Sequence, residues 1–154
     1  MDIDAIETDI QTALTTAGIA NPILQRHYSM TFDEVRDVYL DKTKDAPRLN
    51  FCVINVFRTG SERYASYQVL EYGRVDITYY IAINEDQNTH LKAREDLDTI
   101  VDTLDDKFTY GDEVDRTLPP ISSGLSETNI KGFQVWTAVV SQNFEVPKTV
   151  ANYD

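Results

Sequence analysis

The sequence predicts an α+β domain, and three stretches of the chain support this prediction. Residues 74–83 alternate apolar and polar side chains with a period of two, which is typical of a strand with one buried face. Residues 49–57 are apolar on both faces, as expected of a strand inside a sheet. From Thr89 onwards the apolar residues recur with a helical period. The length of 154 residues fits one domain, residues 1–154.

The first helix is predicted over residues 3–17, where apolar side chains recur at helical spacing. Asp2 places negative charge at the positive end of this helix, and Gly18 is suited to a left-handed cap after the last turn. Before the first long strand we expect a short extended segment around residues 23–28. A capping box that starts at Thr31 predicts a short helix after it.

Residues 49–83 are predicted to form most of the sheet. Thr59-Gly60-Ser61 has the chemistry of a hairpin turn, and Gly73 permits a bend or bulge. These positions divide the stretch into three antiparallel strands, which span residues 49–57, 64–72 and 74–83. The alternative is that residues 64–83 form one long bent ribbon.

Two further strands are predicted after the second helix. Residues 114–118 form a short strand, and residues 133–146 form a long one that Pro147 ends. We expect a flexible loop at residues 121–131 and a flexible tail at residues 148–154. The order helix, three strands, helix, two strands predicts an antiparallel sheet of about five strands with two main helices packed on one face.

The charge of the chain is strongly negative. There are 26 acidic side chains against 14 basic ones, which gives a net charge of −12, and the acids are spread along the chain. Such a surface argues against binding to nucleic acid or to anionic membranes, because both need clustered Lys and Arg. The sequence has 17 Asp but only 6 Lys, a composition that resembles proteins from salt-loving organisms. No run reaches the roughly 18 apolar residues of a membrane span, and no basic leader is visible, so synthesis in the cytoplasm is expected.

Few residues suit catalysis or metal binding. Cys52 lies in an apolar strand and is expected to be a small buried side chain. His27 and His90 lack metal-ligand partners at useful spacing, and Asp98 and Asp102 lack a third ligand. No nucleophile elbow, phosphate-binding loop or dinucleotide fingerprint is present. We therefore expect no catalytic residue, no cofactor and no metal, and the chain is not predicted to be an enzyme.

A group of arginine and tyrosine residues near the predicted hairpin is the candidate interaction site. Tyrosine often anchors protein interfaces, and basic residues stand out in such an acidic chain. The alternative is that the aromatic residues form ordinary cross-strand pairs within the sheet. The predicted interface, which would meet an acidic neighbour such as another copy of the chain, contains Arg58, Arg63, Tyr64, Tyr67 and Arg74.

The order of elements and the chain length resemble the tail terminator, or tail-completion, proteins of long-tailed, siphovirus-like viruses. The cues are the apolar strand from Arg48 to Val56, the alternating strand from Val75 to Ile83 and the helix that follows, and the likeness extends from Ile3 to Val146. The resemblance implies a structural virion protein in the neck region of the tail. Its copies would form a hexameric ring that caps the tail tube protein and binds the head-tail connector protein.

Further expectations follow from the same resemblance. DNA would only pass through the lumen of the ring, and no membrane would be involved. The acidic composition would fit a virus that infects a salt-loving archaeon. Two alternatives remain: another head-tail joining protein, such as a neck, adaptor or head-completion subunit, or a small ligand-binding or catalytic α+β domain with an enclosed polar pocket.

Overall fold

A computed structural model of the chain describes residues 1–27, 40–41, 48–66, 68–105, 114 and 116–149. The short helix predicted after Thr31 and the end of the predicted tail, residues 150–154, lie outside the described residues. Along the chain the elements are α1 (Ile3–Thr16), β1 (Pro22–Leu24), a 3₁₀ turn (Gln25–His27), β2 (Leu40–Asp41), β3 (Arg48–Ala65), β4 (Gln68–Ala82), α2 (Thr89–Asp105), β5 (Arg116–Thr117), β6 (Ile121–Ser122), β7 (Ser126–Ile130) and β8 (Phe133–Thr149).

The helix α1 has a well-defined cap at each end. The Asp2 side chain accepts a hydrogen bond from the first turn. At the other end Gly18 adopts a φ of 88°, and the Ile19 N–H donates to the Leu14 carbonyl, as in a Schellman cap. The helix predicted over residues 3–17 is therefore confirmed to within one residue.

Both helices pack on the same face of the sheet, as the sequence predicts. The second helix, α2, starts at Thr89 as expected, and its apolar stripe is buried. One core cluster joins the two helices to the three long strands. Its members include Ile6, Ile10 and Leu14 of α1, Leu97, Ile100 and Leu104 of α2, and Ile54, Ile77 and Val140 of the strands.

A buried polar contact fixes α2 to the centre of the sheet. The hydroxyl of Tyr79, which is fully buried on β4, donates to Asp96 Oδ2 at 2.5 Å. The other oxygen of this carboxylate accepts from Lys92 Nζ at 2.8 Å, one helical turn away. Asp96 is 4% exposed, so both partners are needed to offset the cost of burying its charge.

The sheet is mixed, with more strands than predicted. Its long strands β3, β4 and β8 pair antiparallel, but β1 pairs parallel with β3. The strand order is β1-β3-β4-β8-β5, with β2 also on β3 and with β6 and β7 also on β8. Within the described residues this makes eight strands, four of which have only two or three residues. The sequence predicted a wholly antiparallel sheet of about five strands, with three strands before the second helix and two after it. This prediction is wrong in the number and the order of the strands.

The predicted division of residues 49–83 into three strands is wrong, and the alternative of one long ribbon over residues 64–83 is nearer to the structure. Residues 68–82 form the single strand β4, and the hairpin turn follows Ala65. Gly60 instead lies at a β-bulge, where the pairing register shifts between Arg58 and Gly60. Gly73 does not bend the chain and is a paired position within β4. A glycine is needed there because the ring of Phe144 on β8 fills the space that a side chain would take.

The segment predicted as a loop, residues 121–131, contains two strands. Both β6 and β7 pair with the outer edge of β8. Four of the five β7 side chains are exposed, so this edge strand has no apolar alternation that would reveal it in the sequence. Pro147 does not end β8, which continues to Thr149, so residues 148 and 149 belong to a paired strand and not to the predicted flexible tail. At Pro147 β8 pairs with β4 alone among the described strands, and a proline is tolerated at such an edge.

We expect Gly73→Ala to lower the free energy of unfolding by about 1 to 3 kcal/mol, because it would overpack the core. A Cβ at this position would lie 2.3 Å from Phe144 Cζ. Gly60→Ala is the control, since a Cβ there meets nothing within 4 Å. Urea unfolding followed by circular dichroism measures both. Adding Phe144→Leu to Gly73→Ala should restore part of the loss, and equal stability of the two glycine variants would contradict the prediction.

We expect Tyr79→Phe to cost about 1 to 3 kcal/mol, because it leaves the buried Asp96 carboxylate without one hydrogen bond. Tyr80→Phe is the matched control. Tyr80 is half-buried on the next position of β4, and within the described residues its hydroxyl makes no hydrogen bond. The same unfolding measurement compares the two variants, and an equal effect of both would argue against a role for the Tyr79 hydroxyl.

Candidate functional site

The three long strands continue past the core as an exposed extension of the sheet. We define this arm as residues 58–65 of β3, 68–72 of β4 and 145–149 of β8. On β3 the core ends at Val56, and every side chain from Ser61 to Ala65 is exposed. The outer edge of β3 beyond Ile54 pairs with no other strand in the described part of the chain. The base of the arm joins the core through Glu71 and Val146, which are buried, whereas the β3 side of the arm from Ser61 to Ala65 is exposed.

The bulge in β3 decides which side chains share a face of the arm. Residues directly opposite each other in paired strands point to the same face. Arg58 lies opposite Gly73 and Arg63 lies opposite Val69, and these two β4 positions are on one face. Without the bulge, a separation of five residues would place the two arginines on opposite faces. Lys148 also lies opposite Val69, so it completes a basic face that consists of Arg58, Arg63 and Lys148.

Glu71 is a buried carboxylate on the same face as these cations. One of its oxygens lies 3.4 Å from Arg58 and 3.8 Å from Lys148, and the other lies 3.1 Å from the Met1 amine. The side chain of Glu71 is 6% exposed, whereas Arg58 and Lys148 are about half exposed. Burial by itself would raise the pKa of Glu71. The Met1 amine, Arg58 and Lys148 together outweigh this effect and lower the pKa of Glu71 below its ordinary value. The arginine and the lysine remain accessible to a partner.

The opposite face of the arm is acidic. Glu62 lies opposite Leu70, and Glu145 lies opposite Tyr72. Tyr72 Oη donates to Glu62 Oε2 at 2.9 Å. The pKa of Tyr72 is raised, first by this hydrogen bond and then by burial and by both carboxylates, which lie close to the phenol. Neither carboxylate takes part in an ion pair among the described residues. We call Glu62, Tyr72 and Glu145 the acidic face.

The structure brings together only part of the predicted interface. Arg58 and Arg63 share the basic face, and Arg63 also donates to the Ser66 carbonyl at 2.6 Å. Tyr64 is 56% exposed near the tip, and Tyr67 lies outside the described residues. Whether these residues form an interface stays a prediction.

Arg74 lies on the other face of the sheet from the helices. Its guanidinium donates to Asp76 Oδ1 at 2.8 Å and to Ser141 Oγ at 3.0 Å, and Ser141 donates to the same Asp76 oxygen at 2.6 Å. Arg74 is thus separated from Arg58 and Arg63 by the thickness of the sheet.

A second acidic surface lies on α2. Glu95, Asp98, Asp102 and Asp105 are exposed at spacings of three and four residues, and Arg94 lies on the same side of the helix. Four carboxylates and one guanidinium leave three negative charges on this stripe. The stripe points away from the sheet, on the side that also carries the basic face of the arm.

A small cavity lies where β4 leads into α2. It has a volume of about 300 Å³ and is lined by Trp136, His90, Glu85 and Glu127 among others. The rings of His90 and Trp136 meet edge to face with centroids 4.9 Å apart. Across the described residues there is no group of three His, Cys, Asp or Glu side chains placed to hold a metal ion.

Cys52 is fully buried, as the sequence predicts. Burial raises the pKa of the thiol to about 12, and the negative charge of Asp96 adds to this effect. The thiol therefore stays protonated at neutral pH, so its environment is not that of an activated nucleophile.

No protein-family model matches the chain, and no curated protein is significantly similar to it. Of the helices that the structure describes, neither is long and apolar enough to cross a membrane.

We expect Glu71→Gln to lower the free energy of unfolding at pH 7 by roughly 1 to 2 kcal/mol, because the ionised carboxylate is paired with three cations. A carboxyl group with a lowered pKa in the folded state contributes stability above its unfolded pKa, and this stability is lost as the pH falls. The deficit of the variant should therefore shrink as the pH falls below the ordinary value of 4.5.

The measurement is urea unfolding at a series of pH values between neutral and acid. Glu127→Gln is the control, because Glu127 is exposed and unpaired in the described structure. A deficit of Glu71→Gln that stays the same from pH 7 to pH 3 would show that the carboxylate charge is not its source.

Proposed function

We propose that the protein is a structural subunit that assembles with copies of itself through the arm. In this proposal it acts as the tail terminator of a long-tailed virus: a hexameric ring in the neck region that caps the tail tube and binds the head connector. The observation that carries the proposal is the arm itself. In the arm, three strands are ordered beyond the core. Ordering them costs conformational entropy, and burial of their side chains within this chain offsets only part of that cost.

The open edge of the arm also supports a role in assembly. Unpaired edges of long strands are places where other chains bind. Here the bulge and the charged residues between Arg58 and Arg63 hinder direct pairing with another strand. Contacts through the side chains of the arm faces are therefore favoured over extension of the sheet.

Assembly through unlike surfaces accounts for the proposed action. When one surface of a subunit binds a different surface of the next, the contacts repeat by rotation and can close into a ring. A closed ring on the end of the tail tube would present a new surface to the connector and stop further addition of tube subunits. The net charge of −12 would keep DNA from adhering as it passes through the lumen.

A small ligand-binding domain is the second candidate. The cavity beside Trp136 favours it, because an aromatic wall with a few polar groups at its rim is common in such sites. The ligand-binding hypothesis predicts a monomer or a dimer in solution. Removal of the arm would then leave the oligomeric state unchanged. Another head-tail joining protein would differ from a terminator in the virion component that it binds.

We expect light scattering to detect a ring-sized species, either of the protein alone or after addition of purified tail-tube protein, at 0.15 M or about 2 M salt. A variant in which Asn-Gly replaces residues 63–69 joins the paired positions Glu62 and Leu70 by a two-residue turn, so it should fold and remain a monomer. Circular dichroism controls for folding. A wild-type protein that stays monomeric at both salt concentrations, with and without the tube, would overturn the proposal.

A further inference from the structure

The two faces of the arm carry opposite charges. On the basic face, the three cations Arg58, Arg63 and Lys148 face one buried carboxylate, Glu71, and leave a positive surplus. On the acidic face, Glu62 and Glu145 take part in no ion pair among the described residues, and Arg116 of β5, outside the arm, pairs in register with Glu145. This separation depends on the bulge, since a regular β3 would place Arg58 on the face opposite to Arg63.

We propose that the basic face of one arm packs on the acidic face of the arm of a second copy, so that the arms stack in one direction. This inference rests on the proposed function and identifies the surfaces through which the copies would join. The partner is a second copy of this chain, because the same arm supplies both halves of a charge-complementary contact.

The position of the two faces on opposite sides of one sheet explains how copies would add. A neighbour whose sheet lies the same way up, with its core displaced from the helices on that side of the first copy, presents its acidic face to the basic face of the first copy. Each copy then keeps one free face of each kind until the assembly closes. The acidic stripe on α2 does not lie on the side of the sheet opposite to the basic face, as this mode of addition requires. It lies on the same side of the sheet as the basic face, so it could reach that face only in a neighbour that is turned over.

The middle of each face can pack against a neighbouring sheet. Val69 lies between Arg63 and Lys148 on the basic face, and Leu70 lies between Glu62 and Pro147 on the acidic face. Val69 and Leu70 are half-buried within the single chain, so both retain apolar surface for contact. Two sheets that pack face to face lie about 10 Å apart, a distance that Arg and Lys side chains can span to reach carboxylates.

Charge reversal tests the contact directly. Variant A carries Arg63→Glu and Lys148→Glu, and variant B carries Glu62→Lys and Glu145→Lys. We expect each variant alone to self-associate at least about tenfold more weakly than the wild type, because like charges then meet across the contact. In an equimolar mixture, the acidic faces of A meet the basic faces of B on both sides. The mixture should therefore recover the mass of the wild-type assembly, measured by sedimentation velocity at 0.15 M salt.

Two controls separate the contact from general effects of charge. Arg94→Glu with Lys131→Glu changes the net charge as variant A does, but at exposed cations off the arm, and assembly should be retained. Asp98→Lys with Asp102→Lys reverses the stripe on α2 and should also leave assembly intact. Circular dichroism checks folding. If variant A does not fold, Arg63→Glu alone replaces it, because among the described residues the hydrogen bond of the Arg63 side chain goes to the Ser66 carbonyl and not to a buried group.

The outcomes distinguish this inference from the proposed function. Recovery of assembly in the mixture, with both controls assembled, supports the stacked arms. If the wild type forms a ring and variants A and B do so equally well, the copies join through other surfaces. The inference is then wrong and the proposed function stands. Loss of assembly on reversal of the α2 stripe, without recovery in the mixture, also overturns it. A wild type that remains monomeric with and without tail tube overturns both.

Discussion

The pairing of β4 with β3 on one side and β8 on the other is the constraint on which the rest of the structure depends. This pairing continues from the strands beneath the helices out to the tip of the arm. It fixes which face each side chain of the three strands occupies, because a shift of one residue would exchange the faces. A single register therefore sets the apolar face of the sheet that packs against α1 and α2. The same register sets the two charged faces of the arm. One bulge, at Gly60, is the local exception that groups the two arginines.

The sequence predicted those elements whose signal is local. Both helices and the long strand from Phe133 follow from the spacing of their own apolar residues, and the structure has them at the expected places. The roles of Gly60 and Gly73 in the fold do not follow from the spacing of nearby residues. Both were expected to turn or bend the chain, but Gly73 accommodates the Phe144 ring, which is 71 residues further along the sequence. The polar edge strand β7 was missed, and for β1 an extended segment was expected but not its parallel pairing, because pairing partners, and not their own composition, make them strands.

The candidate site shows the same limit. Composition alone pointed to the arginines as unusual in an acidic chain, and two of them, Arg58 and Arg63, lie together on the arm. Their spacing in the sequence argues against a common face, and only the bulge reverses this. Arg74 was expected with them because it is near in sequence, yet its side chain binds Asp76 and Ser141 on the other face of the sheet. The acidic partner residue Glu145 comes from β8, more than 80 residues after Glu62, and no local pattern links the two.

The separation of charge on the arm has a further consequence for how copies of this chain can meet. With a net charge of −12, two copies repel at long range, so attraction must come from contacts at short range. Molar salt reduces the Debye length to about 3 Å, which removes the long-range repulsion, whereas ion pairs that exclude water are screened much less. Two basic faces or two acidic faces would repel on contact, which disfavours symmetric pairing of arms. The arrangement that remains places unlike faces together. It is directional, as the closure of a ring requires.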